Sequence, residues 1–292
     1  MDEALQPINV QSAKQKLKSY SGNPISLILA ALVGLSALIT VLTLVFIIGY
    51  ILIKGIPNLT LDLFQPEYNS ENVSMFPSMV NTVCMTALSL LIAGPLGILA
   101  AVYLVEYAQK RNKLVSVIRI TAETLTGIPS IVYGLFGMLF FVTTLKWGFS
   151  MLAGAFTLAI MVLPVIMRTT EEALLSVPDM YREASFGLGA GKLRTIFVVI
   201  LPSAVPGILS GVILSIGRIV GETAALMYTA GTVAELPSSV MSSTRTLSVH
   251  MYALSNEGLY TDQAYATAVV LLLIVLLINW VSGRIARKIK KG

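Results

Sequence analysis

The chain has 292 residues, of which 55% are hydrophobic and only 12% charged, and its mean hydropathy is +0.82. A soluble domain carries about 25% charged residues, so this chain lacks the polar surface to cover a water-soluble fold. The composition implies an integral membrane protein and excludes a soluble globular one, and the long apolar runs described below make it all-α.

The net charge of +5 does not indicate nucleic acid. Sixteen of the 20 Lys and Arg fall in four clusters, at Lys14–Lys18, Lys110–Arg119, Arg168–Arg194 and Arg284–Lys291. These clusters flank alternate sides of successive apolar runs, which is the positive-inside bias that sets topology. A single cysteine, Cys84, forbids an internal disulfide, and a single histidine, His250, forbids a His-rich metal cluster. Cys84 is expected to be a buried small hydrophobe and His250 a structural residue.

Residues 1–23 read as a polar cytoplasmic lead-in, and the apolar run after them is too long for a signal-peptide core. The first span is expected at Pro24–Ile53 and an external loop rich in Asn, Pro and acids at 54–78. A permease core of five further spans is expected at 79–286, with a basic cytoplasmic tail at 287–292. The second span is expected at Met79–Tyr107, interrupted by Gly94-Pro95. The third, Thr121–Leu145, opens with TLTGIPSIVYGLFG. Gly127, Pro129, Gly134 and Gly137 either let helices pack closely or break this span so that freed polar groups line a path. The fourth span is expected at Phe149–Met167, the fifth at Pro202–Tyr228 and the sixth at Ala264–Val281. Six spans place both termini inside.

Between the fourth and fifth spans lies a polar loop, 169–201, too charged to cross a bilayer. Its Gly187–Lys192 run is not a phosphate loop: that pattern needs Gly where Phe186 stands and a hydroxyl where Leu193 stands. Glu183-Ala184-Ser185, Gly189 and Val199-Ile200-Leu201-Pro202 closely resemble the EAA loop of ABC importer permeases: Glu-Ala-Ala, three residues, Gly, nine residues, then Ile-x-Leu-Pro. Ser185 and Val199 are mild departures from it. The resemblance implies the fold of a type I importer permease with six transmembrane helices. It also implies that Ser176–Gly191 forms a cytoplasmic coupling helix docking on an ATPase subunit. Ala184, Gly187, Gly189 and Ala190 leave the backbone nearly bare for close approach, and Arg182 and Glu183 can orient the partner through charge-assisted bonds.

The fifth span carries Arg218 and Glu222. A mid-membrane charge costs about 2.5–3.5 kcal/mol on insertion scales and is functional by default. Arg218 lies roughly 24 Å along a helix from Pro202, past the midplane. On a wheel with Ser203 at zero, Ser203, Gly207, Gly211 and Ser215 fall at about 0–120°, with Arg218 near 60° and Glu222 near 100°. The two charges thus point along a small-residue stripe where another helix packs, as a path between subunits would require. They form either a static ion pair or an anion site, for which the guanidinium fork is suited. Glu222 can accept a hydrogen bond from a protonated oxyanion and repel a fully ionised one.

The runs TGIPSIVYGLFG and GRIVGETAAL resemble the corresponding segments of PstA-type phosphate ABC permeases, over spans two to six. Ala225 stands where that family commonly has Pro. The resemblance implies a multi-pass subunit of a prokaryotic inner membrane that binds no cofactor or metal itself. Its partners would be a second, homologous permease, two ATPase subunits holding ATP and Mg, an external phosphate-binding protein, phosphate and the lipid bilayer. Arg218, Glu222, Ser130 and Tyr133 are the candidate path residues, and Glu183, Ala184, Ser185, Gly189, Leu201 and Pro202 the candidate coupling residues. A permease for another oxyanion, sulfate or molybdate, and a secondary transporter or channel without an ATPase are the alternatives.

Overall fold

The computed structural model describes residues 24–108 and 113–291. The expected lead-in at 1–23, the residues at 109–112 in the basic loop and the final residue of the tail lie outside the described residues. The chain divides into two compact units, the first ending at Ile53 and the second beginning at Lys54.

The first unit contains helix α1, Pro24–Gly55, which reaches into the start of the second. It is apolar on every face, with Val33 and Phe46 each 70% exposed. A helix hydrophobic all round and of this length is built to lie in lipid.

The second unit opens with two 3-10 turns, Ile56–Asn58 and Leu61–Phe64, so the expected loop is ordered. Asn69 and Asn72 bond each other's backbone N–H, closing a turn that places Val73 at φ +47°. Helix α2 spans Phe76–Val102 and widens into a π turn at Tyr103–Tyr107. Then come α3, Lys113–Thr126, and α4, Ser130–Gly137, which runs on as π helix to Thr144. Helix α5 is Met151–Leu175, started by Ser150, whose hydroxyl accepts from Ala153 N at 3.2 Å. It continues past the expected end at Met167, so Arg168, Glu171 and Glu172 belong to this helix and not to the loop after it. Helix α6, Asp179–Gly187, is followed by a short turn, Lys192–Arg194, and a π segment, Thr195–Ile200, that leads into α7, Leu201–Val220. A four-residue helix α8, Ala224–Met227, a helix α9, Leu247–Glu257, and α10, Thr261–Lys291, complete the chain. Among the described residues five helices are long and apolar enough to cross a membrane, or six where the bent pair α3–α4 is one span.

Helix α5 is the centre of the second unit: Leu158, Met161 and Ile166 are fully buried, and α2, α4 and α7 pack around it. In lipid there is no hydrophobic drive to bring helices together, so close approach must come from small residues. A Cβ added at Gly97 of α2 would sit 2.9 Å from Ile166 Cγ2. Gly207 and Gly211 of α7 leave no room for a Cβ against Ala173 and Thr169 of α5. The small-residue stripe of α7 is therefore filled by a helix of the same chain, which corrects the expectation that it lies on a path between subunits. Cys84 is a second correction: it is exposed, beside Leu88, Leu91 and Val240 in a groove.

Candidate transport path and coupling site

The third span breaks where its Gly and Pro predict. Pro129 offers no N–H and biases Ile128 away from the helical region, so α3 stops at Thr126 and α4 restarts at Ser130, bent by 104°. The last turn of α3 exposes carbonyls that need donors. Leu125 O accepts Ile128 N at 3.2 Å and the Tyr133 hydroxyl at 2.7 Å. Tyr133 is 5% exposed, so it ties the bend while remaining within electrostatic reach of Arg218. Ser130 sits half-buried at the first turn of α4. The close-packing reading of the same run also holds, further along. A Cβ at Gly134 would lie 2.7 Å from Ala225 Cα, and one at Gly137 would meet Thr157 and Thr229. The break and the tight packing are thus two parts of one segment.

The fifth span is not continuous to Tyr228. Helix α7 ends at Val220, and residues 221–223 form a turn before α8. Arg218 is in the last turn of α7, whereas Glu222 falls beyond its end, so the helical wheel does not apply to Glu222. Glu222 is 8% exposed, and its Oε1 accepts Ala225 N at 3.0 Å, capping α8. Its backbone carbonyl accepts the Ser248 hydroxyl at 2.6 Å, joining the turn to α9. No ion pair joins Arg218 to Glu222 among the described residues. Arg218 instead lines an open cavity of about 640 Å³ with Val165, Ser210, Ile213, Leu214, Gly217 and Asn279. Its guanidinium has no hydrogen bond or ion pair among the described residues and is free to meet an anion.

The polar segment between α5 and α7, here called the handle, is held by contacts of its own. Leu174 O and Val177 O accept Arg182 Nη2 and Nη1 at 3.1 and 3.0 Å, and Glu106 Oε1 accepts Arg182 Nη2 at 2.7 Å. Asp179 completes the set at 3.2 Å. Arg182 therefore locks α6 to the ends of α2 and α5, and it is not available to orient a partner as its position beside Glu183 suggested. Ser185, in the place of the second Ala, is buried and shares a 2.8 Å hydrogen bond with Thr195. Gly189 has φ +81°. Ala190 N bonds Ser185 O and Gly189 N bonds Phe186 O, the paired closure of a helix by a left-handed residue. Gly189 thus terminates α6, in addition to leaving the backbone bare. Glu183 and Ala184 face solvent, together with Met180, Tyr181, Phe186 and Leu188, the last 90% exposed. Leu201 and Pro202 open α7 directly after the π segment, where the missing proline N–H interrupts the regular ladder.

Three features escaped the sequence. Glu106 is the half-buried anion that holds Arg182, from 76 residues away. Asn279 shares a cavity with Arg218 although it sits in an otherwise aliphatic run. At the opposite end from the handle, Arg245 is 5% exposed, lies over the Tyr68 ring at 4.8 Å, and has Nε and Nη2 without partners. His250 is fully buried beside the same ring. Burial, and then the charge of Arg245, push its pKa down to about 3. The nearby Val73 backbone opposes this only weakly, since neither ring nitrogen reaches hydrogen-bonding geometry.

Residues 93–291 match the family described as "Binding-protein-dependent transport system inner membrane component". The chain belongs to this family. The permease is 34% identical over 88% of its length to the "Probable ABC transporter permease protein YqgI" of Bacillus subtilis (strain 168), covering 94% of that protein. It is 37% identical over 81% of its length to the "Phosphate transport system permease protein PstA" of Pasteurella multocida (strain Pm70), covering 85% of it. Its fold is that of solved ABC importers. It matches 98% of a chain of the bacterial alginate ABC transporter with TM-score 0.68 at 17% identity, over 94% of the permease. It also matches 94% of a chain of the MetNI methionine ABC transporter with TM-score 0.57 at 22% identity, over 74% of the permease. At these identities the likeness is one of fold.

Proposed function

We propose that the chain is the PstA-type permease of an ATP-driven phosphate importer. It pairs with a second permease and couples through α6 to two ATPase subunits, and it receives phosphate from an external binding protein. ATP and Mg are held by the ATPase subunits and not by this chain. The observation that carries the reading is Arg218: a guanidinium on a membrane-spanning helix, without an ion pair among the described residues, on an open cavity. A cation so placed lowers the barrier for a doubly charged anion, and its planar fork fits two oxyanion oxygens. The similarity to proteins named as phosphate permeases supports phosphate as the anion. ATP-driven approach of the ATPase subunits draws on the exposed apolar face of α6, and its rigid anchorage by Arg182 passes the displacement to α2 and α5.

The test is phosphate uptake by the assembled complex, normalised to permease in the membrane. Arg218→Gln is expected to abolish uptake, and Arg218→Lys, which keeps the charge but loses the fork, to lower it. The double variant Arg218→Gln with Glu222→Gln is expected to stay inactive. Near wild-type uptake by that double variant would reduce Arg218 to a packing element. Stimulation of ATPase activity by sulfate or molybdate in preference to phosphate would overturn the substrate assignment.

A further inference from the structure

The cavity beside Arg218 holds a second polar group on a different helix. On α7, Ser210, Leu214, Gly217 and Arg218 follow the i, i+4, i+7, i+8 spacing of a single face. Asn279 of α10 lines the same space. The apolar run from Ala264 to Val281 contains one carboxamide, and it is this one. Asn279 is exposed, and its side chain forms no hydrogen bond among the described residues. Thr267, by contrast, is buried and satisfies itself by donating to Gln263 O at 2.8 Å. An unpartnered amide within a membrane span is unfavourable unless it faces a partner or a wet cavity. The cavity it shares with an unpaired guanidinium meets that condition.

Resting on the phosphate reading above, we propose that Asn279 is the second contact of the translocated anion and the group that reads its proton. Arg218 can only donate hydrogen bonds, whereas a carboxamide both donates through N–H and accepts through its carbonyl oxygen. Hydrogen phosphate offers charged oxygens to donors and one P–OH to an acceptor. Sulfate offers no proton. The sequence suggests Glu222 for the accepting role, but Glu222 is buried, does not line this cavity and gives its Oε1 to Ala225 N. The Ser210 hydroxyl donates to Pro206 O at 3.1 Å, which leaves its lone pairs as a further acceptor on the same wall.

The experiment is uptake by the complete complex in proteoliposomes under saturating binding protein, per assembled complex, with half-saturating phosphate measured alongside. Asn279→Leu is expected to lower the saturated rate about tenfold, the value of one lost hydrogen bond, with half-saturation unchanged. Asn279→Gln, which keeps the carboxamide, should retain clearly more of the rate than Asn279→Leu, and Asn279→Asp should fall at least as far as the leucine variant through anion repulsion. A wild-type saturated rate for Asn279→Leu would overturn the proposal. So would equal losses in the Leu and Gln variants accompanied by poor assembly, because that pattern marks a packing role. Absence of phosphate uptake by the wild-type complex would instead overturn the reading on which this rests. Normal wild-type uptake and an inactive Arg218→Gln, together with an indifferent Asn279, would remove Asn279 alone.

Discussion

Arg182 and Arg218 are both arginines near a helix end, and the structure treats them in opposite ways. Arg182 is 16% exposed and spends its guanidinium on Glu106, Asp179 and two backbone carbonyls. Arg218 faces open space and carries no ion pair among the described residues. The other charges at the handle end follow Arg182: Arg119 pairs with Glu171, and Arg168 with Glu123 and Glu172. The exposed pairs of Arg168 contribute about 0–1 kcal/mol each. Arg119 pairs with a Glu171 that is 13% exposed while staying half-exposed itself, and Arg182 with Glu106 is the most enclosed of these pairs among the described residues. A charge that is fully answered within the chain holds shape. On the reading proposed above, one left unanswered inside a membrane span is the contact for the translocated anion.

The comparison breaks first at Arg182. Removing one member of a buried pair strands the other and costs about 3–5 kcal/mol, whereas replacing both with apolar residues is often neutral. With Arg182 16% and Glu106 9% exposed, the lower end of that range applies. Arg182→Ala or Glu106→Ala should therefore loosen α6, raise its susceptibility to protease and cut uptake at least tenfold. The double variant Arg182→Met with Glu106→Leu should recover most of both. That is the reverse of the outcome expected when both charges are removed at Arg218 and Glu222. If the double apolar variant is as defective as either single one, Arg182 has a role beyond holding α6, and the distinction between the two arginines fails.

A smaller effect separates shape from contact within the handle itself. Gly189 is constrained by φ +81°, and a Cβ there would meet nothing. Asn, which tolerates the left-handed region, should replace it with uptake reduced only a few-fold. Leu188 has no such backbone duty and is 90% exposed. Leu188→Asp should leave α6 folded while lowering phosphate moved per ATP hydrolysed. Retention of that ratio in Leu188→Asp would remove the apolar face of α6 from the coupling surface.

Much of this was legible beforehand because it is local. Apolar run length gives the spans, Gly127 and Pro129 offer the break, and the spaced motif marks the handle, while Gly189 as the end of α6 shows only in its φ of +81°. What could not be read depends on partners distant in sequence or on where a helix stops. Nothing near Arg182 announces Glu106, and Cys84 looks like a core residue until α2 is seen to turn it outward. The pairing of Arg218 with Glu222 assumed a helix unbroken to Tyr228. The turn at Gly221 carries Glu222 to the foot of α8, and the i,i+4 relation is lost with it.

A third arginine sharpens the comparison with the smallest effect at neutral pH. Arg245 is buried, unpaired at Nε and Nη2, and faces Tyr68 and His250. Acid groups do approach this end: Glu67 and Glu235 line a neighbouring cavity with Tyr68, but neither pairs with Arg245 among the described residues. If the cluster is a fixed structural element, His250 must stay neutral beside that charge. Its folded pKa is depressed to about 3 from the model-peptide value of 6.5. Above pH 6.5 neither the folded nor the unfolded state protonates it, and its contribution to stability is complete. Between 6.5 and about 3 the unfolded chain takes up a proton that the folded chain refuses, so stability falls as pH falls. The loss is about 2 kcal/mol at pH 5, on the scale of 1.36 kcal/mol per pKa unit. His250→Phe keeps an aromatic ring beside Tyr68 and removes the titration. The thermal midpoint of the purified complex should therefore drop between pH 7.5 and pH 5 in wild type and drop less in the variant. An identical pH slope in the two proteins would show that His250 protonates freely in the folded state. Arg245 would then have moved away from it, and the unpaired guanidinium at this end would belong with Arg218 and not with Arg182.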